Sequence, residues 1–198
     1  MTKLAYPIFI ILLIILLISS CSPTKDKHQA LNDYVNTVVK DTFQEIIIIK
    51  NKINSNQTID IFKFGTIYGE TKLDTILYNE RDWRKMEKKY AVNYQAGKNL
   101  WFTTDFWTKE NFNHKRIIFE DSFVGKADAF QEKYDYKPSI DIYSFSEPIH
   151  YKNKRVVVFT VHKTATSFIG LGHTHIIIMK KKGGKWIVTH TGLPDWHN

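Results

Sequence analysis

Apolar residues follow three different patterns along this chain. Pro7 to Ile18 is an almost unbroken apolar run, PIFIILLIILLI, preceded by Lys3 and closed by Ile18-Ser19-Ser20-Cys21. Polar residues Ser22 to His28, SPTKDKH, follow at once and read as a short tether. From His28 to about Ile49 the pattern turns periodic. Leu31, Tyr34, Val35, Val38, Val39, Phe43, Ile46 and Ile47 recur at helical spacing and make one apolar face. The β-branched run Ile46 to Ile49 equally suits the start of a strand. Beyond the loop NKINSNQ, Thr58 to Phe64 alternates and predicts a strand with Ile59 and Ile61 inward.

The middle of the chain predicts strands over Leu73–Tyr78, Leu100–Trp107 and Arg116–Glu120. Short helices are expected over Asp82–Val92 and Lys126–Tyr134. The last third alternates most clearly. Strands are expected over Ile140–Phe145, Arg155–His162, His173–Lys180 and Lys185–Thr191. Gly183-Gly184 joins the last two, and a two-residue primed turn needs the positive φ that glycine supplies. The expected class is α+β: an N-terminal helix packed on an antiparallel sheet with a C-terminal β-meander.

The first apolar run is shorter than the ~20 residues of a membrane span. Its basic start and small-residue end fit a secretory leader. Ile18-Ser19-Ser20-Cys21 resembles the lipobox of bacterial lipoproteins: an aliphatic residue, two small ones, then the cysteine that becomes lipidated and begins the mature chain. The resemblance implies removal of residues 1–20 as a signal peptide, acylation of Cys21, a tether over 21–28 and one domain over 29–198. It implies a bacterial cell-envelope address, anchored by lipid to the inner or outer membrane with the domain exported. Residues 140–190 further resemble a group of small uncharacterised lipoproteins of the Bacteroidetes type. The shared elements are the turn at Phe145, Ser146 and Pro148, the glycines Gly170 and Gly172, and the Gly184-Lys185-Trp186 entry to a strand. No catalytic residue is carried over with it.

Charge narrows the partners. The chain holds 28 Lys and Arg against 20 Asp and Glu, a net +8. The lysines come in short groups: Lys85, Lys88 and Lys89; Lys152 and Lys154 beside Arg155; Lys180, Lys181, Lys182 and Lys185. Such groups suit a surface near anionic lipid or a polyanionic glycan. The expected partners are the membrane lipid through acylated Cys21 and an envelope protein or glycan, and not nucleic acid. Cys21 is the one cysteine, so thiol catalysis and cysteine-based zinc sites are excluded.

Candidate chemistry concentrates in histidine. Of eight histidines, six lie from His150 onward. His173 and His175 share a strand face. With a strict two-residue turn, Ile177 stands opposite His190, which puts His190 diagonally beside His175, ~7–8 Å away. His173, His175 and His190 are therefore candidate ligands for zinc or copper, which favour imidazole. His175, His190 and Trp186 are candidate ligand-binding residues without metal. The competing reading is a sheet rim, since a one-residue shift of register separates the pair.

No G-x-S-x-G, P-loop, S-x-x-K or HExxH pattern is present. Trp101, Phe102, Phe106, Trp107 and Phe112, with Tyr90 and Tyr94 before them, suit either core or a ligand groove. Three functions follow: a non-catalytic binding or interaction module, favoured by the missing motifs; a small-ligand module with an aromatic-lined cavity; and a histidine-based metal hydrolase or metal-binding protein.

Overall fold

The computed structural model describes residues 23–69, 72–73, 77–92, 101–135, 138–170 and 172–195. Cys21, Tyr94 and His197 lie outside them, as do residues 1–20. Among the described residues no helix is long and apolar enough to cross a membrane.

Helix α1 spans Pro23–Val38. It begins within the stretch read as tether, with proline at its first position, where the missing N–H costs nothing. It also ends earlier than the periodicity implied. Ile46–Ile49 is strand β1, buried at all four positions, so both of its faces meet core. β2 (Asn51–Ile53) follows.

Helix α2 spans Ser55–Phe64, where alternation had predicted a strand. The reason is local. The Asn54 side chain accepts a hydrogen bond from the Asn56 N–H at 3.0 Å and caps the helix. Ile59, Ile61 and Phe62 then bury on one side. β3 (Thr66–Gly69) and β4 (Lys72–Leu73) come next, then α3 (Glu80–Tyr90), β5 (Phe102–Phe106), β6 (Ile117–Glu120) and α4 (Ala127–Tyr134). The chain closes with β7 (Asp141–Phe145), β8 (Ile149–His150), β9 (Val156–Ala165), β10 (His173–Lys182) and β11 (Lys185–Leu193).

The class is α+β, with the helix at the N-terminal end and the meander β9-β10-β11 at the C-terminal end. Among the described residues the main sheet runs β4-β3-β11-β10-β9-β7-β1-β6, with β8 also paired to β9. The sheet is mixed rather than purely antiparallel, because β1 pairs in parallel with both β6 and β7. The connection from β6 to β7 crosses over β1 through α4, as parallel neighbours require. β2 and β5 form a separate pair.

Helices cover both faces of the sheet. On one face α1 lays Leu31, Tyr34 and Val35 against Phe145, Phe159, Ile177, Met179 and Trp186. Tyr34 meets the rings of Phe145 and Phe159 edge-on, at 6.3 and 5.4 Å between centroids. On the other face α2 and α3 cover Val156, Val158, Ile176 and Ile178. α4 covers Ile47, Ile49 and Ile142 beside them. A buried hydroxyl chain ties α2 to the sheet: Thr58 Oγ1 lies 2.9 Å from Ser146 Oγ and 2.7 Å from Thr160 Oγ1.

Candidate functional site

The β10–β11 turn has the expected form. Gly183 and Gly184 take φ of 57° and 81°, and Lys182 faces Lys185. The pairing then breaks. Met179 stands opposite Val188, but the next pair is Ile178 with His190. Thr189 is the extra residue of a β-bulge. Because side chains alternate, this one residue moves His190 off the face of His175 and onto the face of Ile178. The expected pairing of Ile177 with His190 is thus corrected to Ile177 with Thr191. His190 is 8% exposed, and its Nδ1 lies 2.9 Å from Thr189 Oγ1.

His173 and His175 do share the face on which α1 lies, the first exposed and the second half-buried. His162 pairs with Thr174 and belongs to the opposite face, its Nδ1 2.9 Å from Thr174 Oγ1. Burial, then repulsion from His173, pushes the His162 imidazole below its ordinary pKa. Burial followed by the charges of His173, His162 and Lys163 does the same to His175. Among the described residues no group of three or more His, Cys, Asp or Glu side chains is gathered to hold a metal ion. The zinc or copper set of His173, His175 and His190 is not assembled, for the bulge divides it between two faces.

Trp186 lies beneath α1, 3% exposed, and its backbone N–H donates to Asp33 Oδ2 at 2.8 Å. It belongs to the core. The aromatic cluster divides likewise. Trp107 and Phe112 are buried, and Trp107 Nε1 donates to the Phe145 carbonyl at 3.1 Å. Phe106 is exposed.

A different set of residues does line an open cleft. Lys27, Lys85, Lys89, Lys152 and Lys154 surround about 430 Å³, together with Asp82, Met86, Tyr90, His150 and Asn153. They come from α1, from α3 and from the corner between β8 and β9. The two larger walls are tied together. The Tyr151 hydroxyl accepts from the Asn79 N–H at 2.8 Å and donates to the Leu77 carbonyl at 3.0 Å. Asn79 caps α3 through the Asp82 N–H, so the start of α3 is fixed against the 151–156 turn. In that turn Lys152 has φ 59°, a left-handed conformation for a side chain that disfavours it. Arg155 N–H donates to Asn153 Oδ1 at 2.8 Å and shapes the turn further.

The cleft is strongly cationic. Its carboxylate, Asp82, pairs with Lys85 at 3.3 Å. Lys27 and Lys89 both approach the Tyr90 ring, at 5.1 and 4.9 Å from its centroid. Among the described residues Lys27, Lys89, Lys152 and Lys154 have no carboxylate within ion-pair distance. The lysine groups 85–89 and 152–154 were visible in the sequence, but their meeting across one cleft was not.

A smaller cavity of about 300 Å³ adjoins α1 through His28. There Glu147 lies 2.9 Å from Lys52 Nζ and 3.7 Å from His28 Nε2, and Lys52 sits 4.4 Å above the Trp107 ring. Glu147 and Lys52 compensate one another, and the approach of His28 to Glu147 joins the first turns of α1 to the β7–β8 corner. In the lysine cleft Asp82 compensates Lys85 alone, so among the described residues its other four lysines have the chemistry to receive an external anion. Compared with protein-family models, with curated proteins and with solved structures, the chain matches none.

Proposed function

We propose that this chain is a lipid-anchored binding protein of a bacterial cell envelope. Residues 1–20 serve for export and are removed. Cys21 carries the acyl chains, and the α+β domain works by binding an anionic partner. One observation carries the reading: the sequence Ile18-Ser19-Ser20-Cys21 stands two residues before the first described helix. In this reading the described fold starts two residues after the acylated Cys21, so the domain works close to the bilayer. Two or more acyl chains anchor stably, each buried methylene contributing ~0.8 kcal/mol. Lys27, Lys89, Lys152 and Lys154, which no carboxylate pairs among the described residues, support the choice of an anionic partner. The separation of His190 from His173 and His175 favours binding over histidine-based hydrolysis.

The test is to express the full chain in a bacterium fed an alkyne fatty acid. The expected product carries the label, sediments with membranes and begins at Cys21 by mass. Cys21→Ala loses the label and accumulates as the longer precursor. A wild-type product that is unlabelled, or that keeps residues 1–20, overturns the anchor.

A further inference from the structure

We infer that the lysine cleft is a binding site for the phosphate of an anionic lipid headgroup, drawn from the same bilayer that holds the acylated cysteine. The inference rests on the anchored reading for the source of the lipid. The phosphate chemistry rests on the cleft alone.

Ammonium groups arriving from three separate segments converge on one concavity. Lys27 is in the second turn of α1, Lys85 and Lys89 stand one turn apart on α3, and Lys152 and Lys154 flank Asn153 on the β8–β9 corner. Ammonium groups on long flexible stems bind phosphate as point charges, and several can reach one tetrahedral group from different directions. Met86 and Tyr90 give the cleft an apolar side on which the glycerol and first methylenes of a lipid can rest. A strained backbone at Lys152 is the kind of feature that collects at ligand sites.

Position selects the source. Two peptide steps from Cys21 to Pro23 reach at most ~7 Å. Four helical rises from Pro23 to Lys27 add ~6 Å. The Lys27 backbone is therefore held within about 13 Å of the acylated residue, close to one Debye length at moderate salt. At that range a cationic cleft lies within reach of the field of any anionic headgroups in the anchoring leaflet. Headgroup phosphates are the anions it meets at the highest local concentration.

The experiment uses the full chain, purified from membranes in neutral detergent and titrated calorimetrically. The probes are soluble dihexanoyl phosphatidylglycerol, dihexanoyl phosphatidylcholine and inorganic phosphate. The expected result is saturable binding of phosphatidylglycerol that is at least tenfold tighter than that of phosphatidylcholine. Lys85→Ala/Lys89→Ala and Lys152→Ala/Lys154→Ala should each weaken it at least tenfold. Lys180→Ala/Lys182→Ala removes the same charge elsewhere and should change it less than twofold. All three pairs are exposed, and a matching thermal melt checks that each variant is folded.

Equal losses in all three variants would reduce the effect to net charge and overturn the site. Inorganic phosphate binding as tightly as phosphatidylglycerol would keep a phosphate site but overturn the lipid as its ligand. No preference between the two lipids, with no response to phosphate, overturns the proposal outright. The mass of the N-terminal peptide from the same preparation separates the two readings. An unacylated protein that still binds phosphatidylglycerol retains the cleft and loses the anchor. An acylated protein that ignores phosphatidylglycerol does the reverse.

Discussion

The histidine end of the sheet and the lysine cleft assemble their polar side chains in opposite ways. His162, His173, His175 and His190 are near neighbours in the strand ladder, yet the fold divides them between two faces. Lys27, Lys85, Lys89, Lys152 and Lys154 are far apart in sequence, yet they share one cleft. The histidines are placed by the strands they ride on. Those strands are placed by buried residues, Ile176 to Met179 and Val156 to Val161. The lysines sit on the outer side of elements whose inner side packs, so their meeting costs the core nothing. Proximity along a strand therefore says less about a site than the pairing of the faces that carry it.

The strongest way to break this comparison is through the core beneath the histidines. Phe159 pairs with Ile177 and is fully buried under α1. Phe159→Ala should destabilise the domain by ~3–5 kcal/mol through lost burial and the cavity left behind. His175→Ala, two pairs along the ladder, should change stability by less than ~1 kcal/mol. Urea denaturation of the two variants measures the difference. Comparable losses would mean that the histidine holds the strand.

Gly172→Ala probes the edge of the same region. A methyl there would stand 2.2 Å from His162 Nε2 and 3.1 Å from the Lys163 carbonyl. The imidazole must swing away and give up its Thr174 hydrogen bond. The expected cost is ~1–2 kcal/mol, read as a lower urea midpoint. An unchanged midpoint would show that the His162–Thr174 bond contributes little.

Acid gives a finer test. His162 and His175 are both held below the ordinary histidine pKa of 6.5, chiefly by burial. The unfolded chain therefore takes up these protons more readily than the folded one. The stability tied to their neutral forms is complete above that ordinary value. It declines as pH falls from there through the lowered native values. Urea midpoints taken from about pH 8 down to about pH 5 should fall. The double variant His162→Gln/His175→Gln should flatten that fall, and an identical slope would place its origin elsewhere.

The smallest expected effect sharpens the other half of the comparison. Lys85→Ala/Lys89→Ala removes one exposed ion pair, with Asp82, and no buried area. It should shift stability by no more than ~0.5 kcal/mol, while changing anion binding as described above. A large loss of stability would make the cleft lysines structural.

The hairpin at Gly183-Gly184 was legible because only a primed turn explains two glycines between alternating runs. The bulge five residues later was not. Thr189 carries no compositional mark of an extra residue, and the pairing of β11 with β3 beyond it, His190 to Gly69 and Gly192 to Ile67, depends on a strand from elsewhere in the chain. Thr58–Phe64 misled for a related reason. Ile59 and Ile61 read as alternation, whereas the Asn54 cap and burial against two elements decided for helix. Ile46–Ile49 left helix and strand open, and burial on both faces chose strand.

The sequence by itself determined the features that depend on neighbours along the chain: the apolar run before Cys21, the turn at Gly183-Gly184, the amphipathic α1 and the cationic surplus. The tertiary structure decided what depends on which faces meet. It put β1 in parallel between β6 and β7, split the histidines at one bulge, buried Trp186 under α1, and brought lysines from three segments to one cleft. The physical reason is that periodicity fixes which residues share a face within one element. The order in which faces pack is set by burial summed over the whole fold.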